Sequence, residues 1–146
     1  MSEKYKYSRT PHFSYSKGLL NDDRMLESEE FFKDKTVEVS VKLDGENSNI
    51  YNDGYHARSL SSGYHVSRTW IKGYIPTFQK EIPDGWRFVF ESMFAKHSIF
   101  YDNLETYAYL INIWDENRNC LSLKDTEEWI AKLKLVKVPS ICIIKY

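Results

Sequence analysis

Two short runs dense in aromatic and β-branched residues, "WRFVFESMF" (86–94) and "TYAYLINIWDE" (106–116), limit most tightly what this chain can fold into. Turn chemistry bounds them, with "PDG" before the first and "DENRN" at the end of the second. Side chains of this kind suit a pleated surface that is covered by other elements, so the two runs predict central strands of a sheet.

The remaining segments supply what such a sheet needs around it. In "FFKDKTVEVSVKL", Val37, Val39, Val41 and Leu43 alternate with polar partners, the period of a half-buried strand. Asp44-Gly45 then predicts a turn, and "NSNIYNDGYHARSL" predicts two more strands around Asp53-Gly54, so residues 37–60 read as an antiparallel meander. "SRTWIKGYIPTFQKEIP" places Trp70, Ile71, Tyr74 and Phe78 on one helical face, with Pro76 set to interrupt the helix. "SLKDTEEWIAKLKL" opens on Ser122 with Asp125 three residues later, a capping box with a short acid, and continues as an amphipathic helix. "VPSICIIKY" reads as a last strand. The expected class is α+β, a mostly antiparallel sheet with flanking helices, in one domain spanning residues 1–146.

Composition narrows the function classes. With 42% hydrophobic and 16% aromatic residues the chain is globular, and a net charge of -1 gives no global basic field, so any nucleic-acid contact must come from local clusters. One such cluster is the start of the chain, where Lys4, Lys6, Arg9 and Lys17 face only Glu3 and interleave with Tyr5, Tyr7, His12, Phe13 and Tyr15. It reads first as an arm whose rings pack on the domain, a reading compatible with phosphate and base contacts. Cys120 and Cys142 show no CxxC spacing, which points away from structural zinc and toward ordinary buried thiols in a reducing compartment. No signal-peptide apolar region or run of about 18 apolar residues is present, so the expected location is the cytoplasm, away from membranes.

The chemistry centres on "VSVKLDGEN" (39–47), where Lys42 ends an apolar run just before Asp-Gly. A lysine amine becomes a nucleophile when its surroundings favour the neutral form, and at a strand end facing a cleft it could attack a phosphorus in line. Gly45 would let the backbone turn closely, and Asp44 would orient the amine or hold metal-bound water. Taken alone, Lys-x-Asp-Gly also fits a surface β-turn.

The neighbouring segments resemble the ATP-dependent RNA ligases of the phage-type RNA ligase family, within the covalent nucleotidyltransferase superfamily. "KLDGEN" fits the family's first motif, Lys-x-Asp/His-Gly-x-Asn, with Lys42 at the adenylated lysine and Asn47 at the asparagine. "HARSLSS" supplies Arg58 where the family has a ribose-contacting arginine, and "FVFESMFAKHSIFY" supplies Glu91 at the third motif. "INIWDE" looks like the adenine-flanking strand, and "RTPHFSYSKG" and "SRTWIKG" are also similar to family members. The resemblance implies a partial nucleotidyltransferase fold of the ATP-grasp-like ligase-adenylation type, with ATP and Mg²⁺ as cofactors and RNA ends as partners. It implies nucleotide binding by Lys42, Asp44, Asn47, Arg58 and Glu91, with Asp44 and Glu91 meeting the metal through water. His97, in "AKHSI", is a further candidate for a phosphate contact.

Three departures accompany the match. Val41 stands where glutamate often precedes the lysine, and Ile111 and Asn112 stand where an aromatic and an acid are usual. The family's Glu-Gly strand and its lysine-bearing strand are not seen, since "LKLVKV" follows "TEEWIA" as part of a helical period. The chain therefore reads as the N-terminal portion of an RNA ligase, with a separate chain as one source of the remaining motifs. The expected function is ligation through lysyl-AMP, joining 5′-phosphate to 3′-hydroxyl RNA ends. The alternative is a catalytically inactive nucleotide- or RNA-binding remnant of the fold, and a DNA ligase or capping-type guanylyltransferase fits the flanking segments less well.

Overall fold

The first aromatic run forms β4 (Arg87–Ser92) and the second β5 (Ala108–Trp114), and the two pair antiparallel in the computed structural model, which describes residues 1–146. On its other side β4 pairs with β2 (Glu46–Tyr51), which turns through Asp53 into β3 (Gly54–Ala57), giving the order β3-β2-β4-β5. β4 is central as expected. β5 ends the sheet instead, and its outer edge is partly occupied by chain that follows the second helix. Leu110 donates its N–H to the Val136 carbonyl at 2.7 Å and accepts from the Val138 N–H at 3.0 Å. That contact explains how so apolar a strand tolerates an edge position.

Alternation along the strands divides the sheet into two unlike faces. Ile50, Phe88, Phe90, Leu110 and Ile113 point to the back, where they form the main core with Ile71, Ile75, Phe78 and Ile82. Phe88 and Phe90 are fully buried, each a contribution of about 1.5–3 kcal/mol from apolar transfer. The predicted helix is α1 (Thr69–Tyr74), and it ends where Pro76 enters. Proline lacks the N–H that an α-turn needs, and residues Ile75–Thr77 tighten into a 3-10 turn that still buries Ile75.

The second helix, α2 (Leu123–Leu133), begins at the expected cap: the Asp125 N–H donates to Ser122 Oγ at 3.1 Å, and Ser122 Oγ donates to Asp125 Oδ2 at 2.8 Å. Trp129 lies edge-on to Phe88 with ring centroids 5.5 Å apart. The helix stops earlier than its period suggested. Lys134 adopts a left-handed conformation at φ 54°, and residues 135–138 run extended along β5, so "LKLVKV" is helical only at its first residue.

These elements belong to one compact unit, Met1–Tyr7 with Val41–Pro139. The other unit comprises Ser8–Ser40 and Ser140–Tyr146. In it β1 (Thr36–Ser40) pairs antiparallel with β6 (Ser140–Lys145) as a two-stranded sheet. The meander expected over 37–60 is therefore a β2-β3 hairpin preceded by a strand that pairs with the far end of the chain. Alternation alone sets a strand's face and leaves its partner open. Both cysteines are free and exposed, not buried, Cys142 lying on β6. No helix is long and apolar enough to cross a membrane.

Candidate nucleotide-binding site

Lys42 lies in the irregular stretch between β1 and β2, exposed and without a hydrogen bond or ion pair. What fixes its surroundings is the turn that follows. A Cβ on Gly45 would fall 2.4 Å from the Ser92 carbonyl oxygen and 2.6 Å from Met93 Sδ, so only glycine lets this backbone lie against the end of β4. The approach is used: the Gly45 N–H donates to Glu91 Oε1 at 2.9 Å. Asn47, two residues on, is the register partner of Glu91 across β2 and β4.

Glu91 thus presents one carboxylate oxygen to the backbone and keeps the other unengaged. Burial pushes its carboxyl above the usual range, and the Gly45 N–H and the charges of Lys42 and His97 partly offset that push. His97 itself is exposed.

Asp44 does something the sequence did not announce. Its Oδ2 accepts the backbone N–H groups of Ser98, at 2.8 Å, and Ile99, at 2.9 Å, while its own N–H donates to the Tyr101 hydroxyl at 3.1 Å. The carboxylate therefore anchors the irregular loop that carries "AKHSI", and it leaves Oδ1 free. The only hint in the sequence was the family-like "AKHSI" itself, which gives no partner.

Asn47 Oδ1 accepts from Asn49 Nδ2 at 2.8 Å, which leaves the Asn47 amide N–H donors unengaged. Arg58 follows the last residue of β3, exposed and unpaired; the register continued by one residue sets it opposite Asn47. Lys42, Asp44, Asn47 and Glu91 are thus drawn to one end of the front face, with Arg58 at its margin.

Sequence reasoning also missed Glu46. It receives Arg68 Nε at 2.7 Å and Arg68 Nη2 at 2.5 Å on Oε1, and the Ser67 hydroxyl at 3.2 Å on Oε2. Both side chains of the ion pair are under one-fifth exposed, 16% for Arg68 and 18% for Glu46, so the pair ties the start of α1 to the start of β2 beside the lysine turn. Residue types alone carry no signal of a pairing across 22 positions.

Ile111 and Val41 pack at the edge of a small front-face cluster of Leu43, Met93, Tyr109 and Val138. The surface beside Lys42 is aliphatic where the family pattern led one to look for an aromatic and a glutamate. Asn112 is committed elsewhere, donating to the Tyr7 hydroxyl at 3.1 Å and accepting from Trp114 Nε1 at 2.9 Å.

No cluster of three or more His, Cys, Asp or Glu side chains comes together as a metal cage. The free Asp44 Oδ1 and Glu91 second oxygen, close enough for the Asp44 charge to help raise the Glu91 carboxyl, fit a hydrated divalent ion that keeps most of its own waters. Chemically, the site offers an accessible amine, two carboxylate oxygens, an amide and a guanidinium, a set suited to a nucleotide phosphate and ribose.

Comparison with known proteins bears on the family and the fold. The family model described as RNA ligase matches residues 35–145. No individual curated protein matches the sequence. Among solved structures, a variant of Naegleria gruberi RNA ligase with ATP and Mn is similar with a TM-score of 0.61 at 17% identity. A second variant without ligand gives 0.62 at 17% identity, and a third with AMP and Mn gives 0.54 at 18% identity. Each similarity covers 80% of this chain and 39% of the other, so the chain spans well under half the length of these relatives. With the model covering most of its residues, the chain belongs to the RNA ligase family.

Proposed function

We propose that this chain carries the nucleotide-accepting half of an ATP-dependent RNA ligase, with Lys42 as the residue that takes AMP. The observation that supports it best is the Gly45 N–H bond to Glu91, which holds the lysine turn against the third-motif glutamate in a chain of this family. In the reaction, the neutral Lys42 Nζ attacks the α-phosphorus of ATP. The new P–N bond forms as the P–O bond to pyrophosphate breaks, and the amine proton passes to solvent. AMP then moves to a 5′-phosphate RNA end, and a 3′-hydroxyl displaces it to form the phosphodiester.

Within this chain, Arg58 is assigned to the ribose, Asn47 to holding the nucleotide, and the second Glu91 oxygen to a metal-bound water. Asp44 serves twice, through Oδ2 as the anchor of the 95–101 loop and through Oδ1 toward a metal-bound water. A divalent ion such as Mg²⁺, when bound, neutralises charge on the phosphate oxygens. Transfer to RNA draws on groups from a complementary segment or a separate chain, in keeping with the 39% of the relatives' length that this chain spans.

The test is incubation with Mg²⁺ and α-labelled ATP. Label that is stable on wild type and absent from Lys42→Ala supports the reading. ATP binding by folded protein without label favours the nucleotide-binding remnant instead.

A further inference from the structure

The front face continues beyond the lysine end of the sheet, and its far part is buried and polar with no assigned use. Asn49 and His56 are register partners across β2 and β3, and both are buried. The Asn49 Nδ2 donates to the Asn47 side chain and to the Ala57 carbonyl, at 2.8 and 3.3 Å, which leaves Oδ1 as a buried acceptor with no donor. His56 Nδ1 lies 2.5 Å from the Ala57 carbonyl, which can only accept, so Nδ1 holds the proton and Nε2 is a second buried acceptor without a donor. Burial favours the neutral ring, and the charges of Arg87 and Lys4 act in the same direction against the Ala57 bond.

Arg87, on the same face of β4 as Val89 and Glu91, is 9% exposed and has no carboxylate partner. One of its five N–H donors meets the Tyr5 carbonyl at 3.0 Å, and its guanidinium lies 5.3 Å from the Trp114 ring. A buried guanidinium held mainly by a single backbone carbonyl and aromatic rings is an anion site with most of its donors unspent.

Residues 1–7 lie across this region as a strap. Ser2 bonds to Asp53, the Tyr5 N–H donates to the Tyr51 hydroxyl at 3.2 Å, and the Tyr7 hydroxyl accepts from Asn112 at 3.1 Å. The strap covers Arg87 while two acceptors beneath the same face stay without a protein donor. A cover that leaves such groups unsatisfied is one that a better-matched ligand displaces.

We propose that Arg87, His56 and Asn49 form a second subsite, which takes a ribose–phosphate unit of the RNA strand when residues 1–7 lift away. Phosphate oxygens accept from Arg87, and the 2′- and 3′-hydroxyls of a strand-end ribose supply the donors that His56 Nε2 and Asn49 Oδ1 lack. Four residues along β4 separate Arg87 from Glu91, about 13 Å, so the phosphate held by Arg87 is not the one beside Lys42, while Asn49, bonded to Asn47, lies where the two sites adjoin. The choice of RNA as ligand rests on the ligase reading; the presence of a phosphate and hydroxyl subsite does not. A free nucleotide carries the same chemistry, and the experiment separates the two sources.

Binding of a 5′-phosphorylated RNA oligonucleotide, the matching DNA oligonucleotide and ATP is measured on wild type, Arg87→Gln and Tyr7→Phe. Arg87→Gln is expected to weaken RNA binding about tenfold or more, the worth of a charged hydrogen bond, with ATP labelling of Lys42 unchanged. Tyr7→Phe removes the tie to Asn112 and is expected to tighten RNA binding up to about fivefold. Asn49→Ala should narrow the gap between RNA and DNA, because only RNA brings the 2′-hydroxyl donor. If Arg87→Gln does not fold, Arg87→Lys keeps the charge without the fork and should show a smaller loss. RNA binding unchanged in folded Arg87 variants overturns the proposal, leaving interior water as the partner of the two acceptors. A loss of ATP binding equal to that of RNA also overturns it, by assigning the subsite to the free nucleotide. Failure of Lys42 labelling with RNA binding intact counts against the ligase reading alone.

Discussion

Gly45 and Glu91, 46 positions apart in sequence, are joined by a 2.9 Å hydrogen bond from backbone N–H to carboxylate, and this bond sets the lysine turn against the central strand. It exists because the glycine backbone lies closer to Ser92 and Met93 than any Cβ permits. Gly45→Ala should therefore cost about 1–3 kcal/mol by overpacking and should reduce Lys42 labelling well beyond what that loss of stability explains. Thermal denaturation and labelling of the same preparation check both parts, and an alanine variant that labels like wild type would show the close approach to be dispensable.

The raised carboxyl of Glu91 makes a pH prediction. The native state binds this proton at a higher pH than the unfolded chain does. Between the ordinary carboxyl value and the raised one, the folded protein thus holds more protons, and stability falls as pH rises through that window. Glu91→Gln keeps an oxygen for the Gly45 N–H and removes the titration. The melting temperature of Glu91→Gln should gain on wild type from acid toward neutral pH while lysine labelling is lost; parallel curves would place the effect elsewhere.

Asp44 ties the 95–101 loop through two backbone N–H groups on one oxygen. Asp44→Ala should speed hydrogen exchange at the Ser98 and Ile99 amides while exchange in β4 stays slow, since β4 is held by its own ladder. Exchange at those two amides that does not change would mean that Tyr101 and the loop's other contacts suffice.

The ion pair of Glu46 and Arg68 is mostly covered, and removing one member leaves the other without its partner. Arg68→Met should destabilise by about 2 kcal/mol, between the values for exposed and buried pairs. Removing both, as Glu46→Gln with Arg68→Met, should recover part of the loss. A chemical denaturation series on wild type, the single and the double variant reads this directly.

Much of this organisation was legible in the sequence, and the parts that were not share a cause. β4, the β2-β3 hairpin, the Pro76 break in α1 and the Ser122 cap each follow from local periodicity or local turn chemistry, which the backbone obeys within a few residues. Lys42, Asp44, Asn47 and Glu91 were singled out through motif order, and Asn47 and Glu91 share a register row. What escaped were pairings across long separations. These include β1 with β6, residues 136–138 along β5, Asp44 with the Ser98 loop, Glu46 with Arg68, and the N-terminal strap with Arg87. Alternation gives each side chain a face and names no partner, so these contacts became visible only once the strands were placed. The strap also bears on the sequence's open question about the first residues, for the Tyr5 backbone and the Tyr7 hydroxyl bond to the sheet while Tyr15, in the other unit, is 68% exposed.

The most direct measurement is intact-mass and peptide analysis of the protein after incubation with ATP and Mg²⁺. One added adenylyl group, mapped to Lys42 and absent from Lys42→Ala, is the predicted result. Folded wild-type protein that binds ATP yet carries no adenylyl group, or carries it on another residue, would contradict the assignment of Lys42 as the nucleophile.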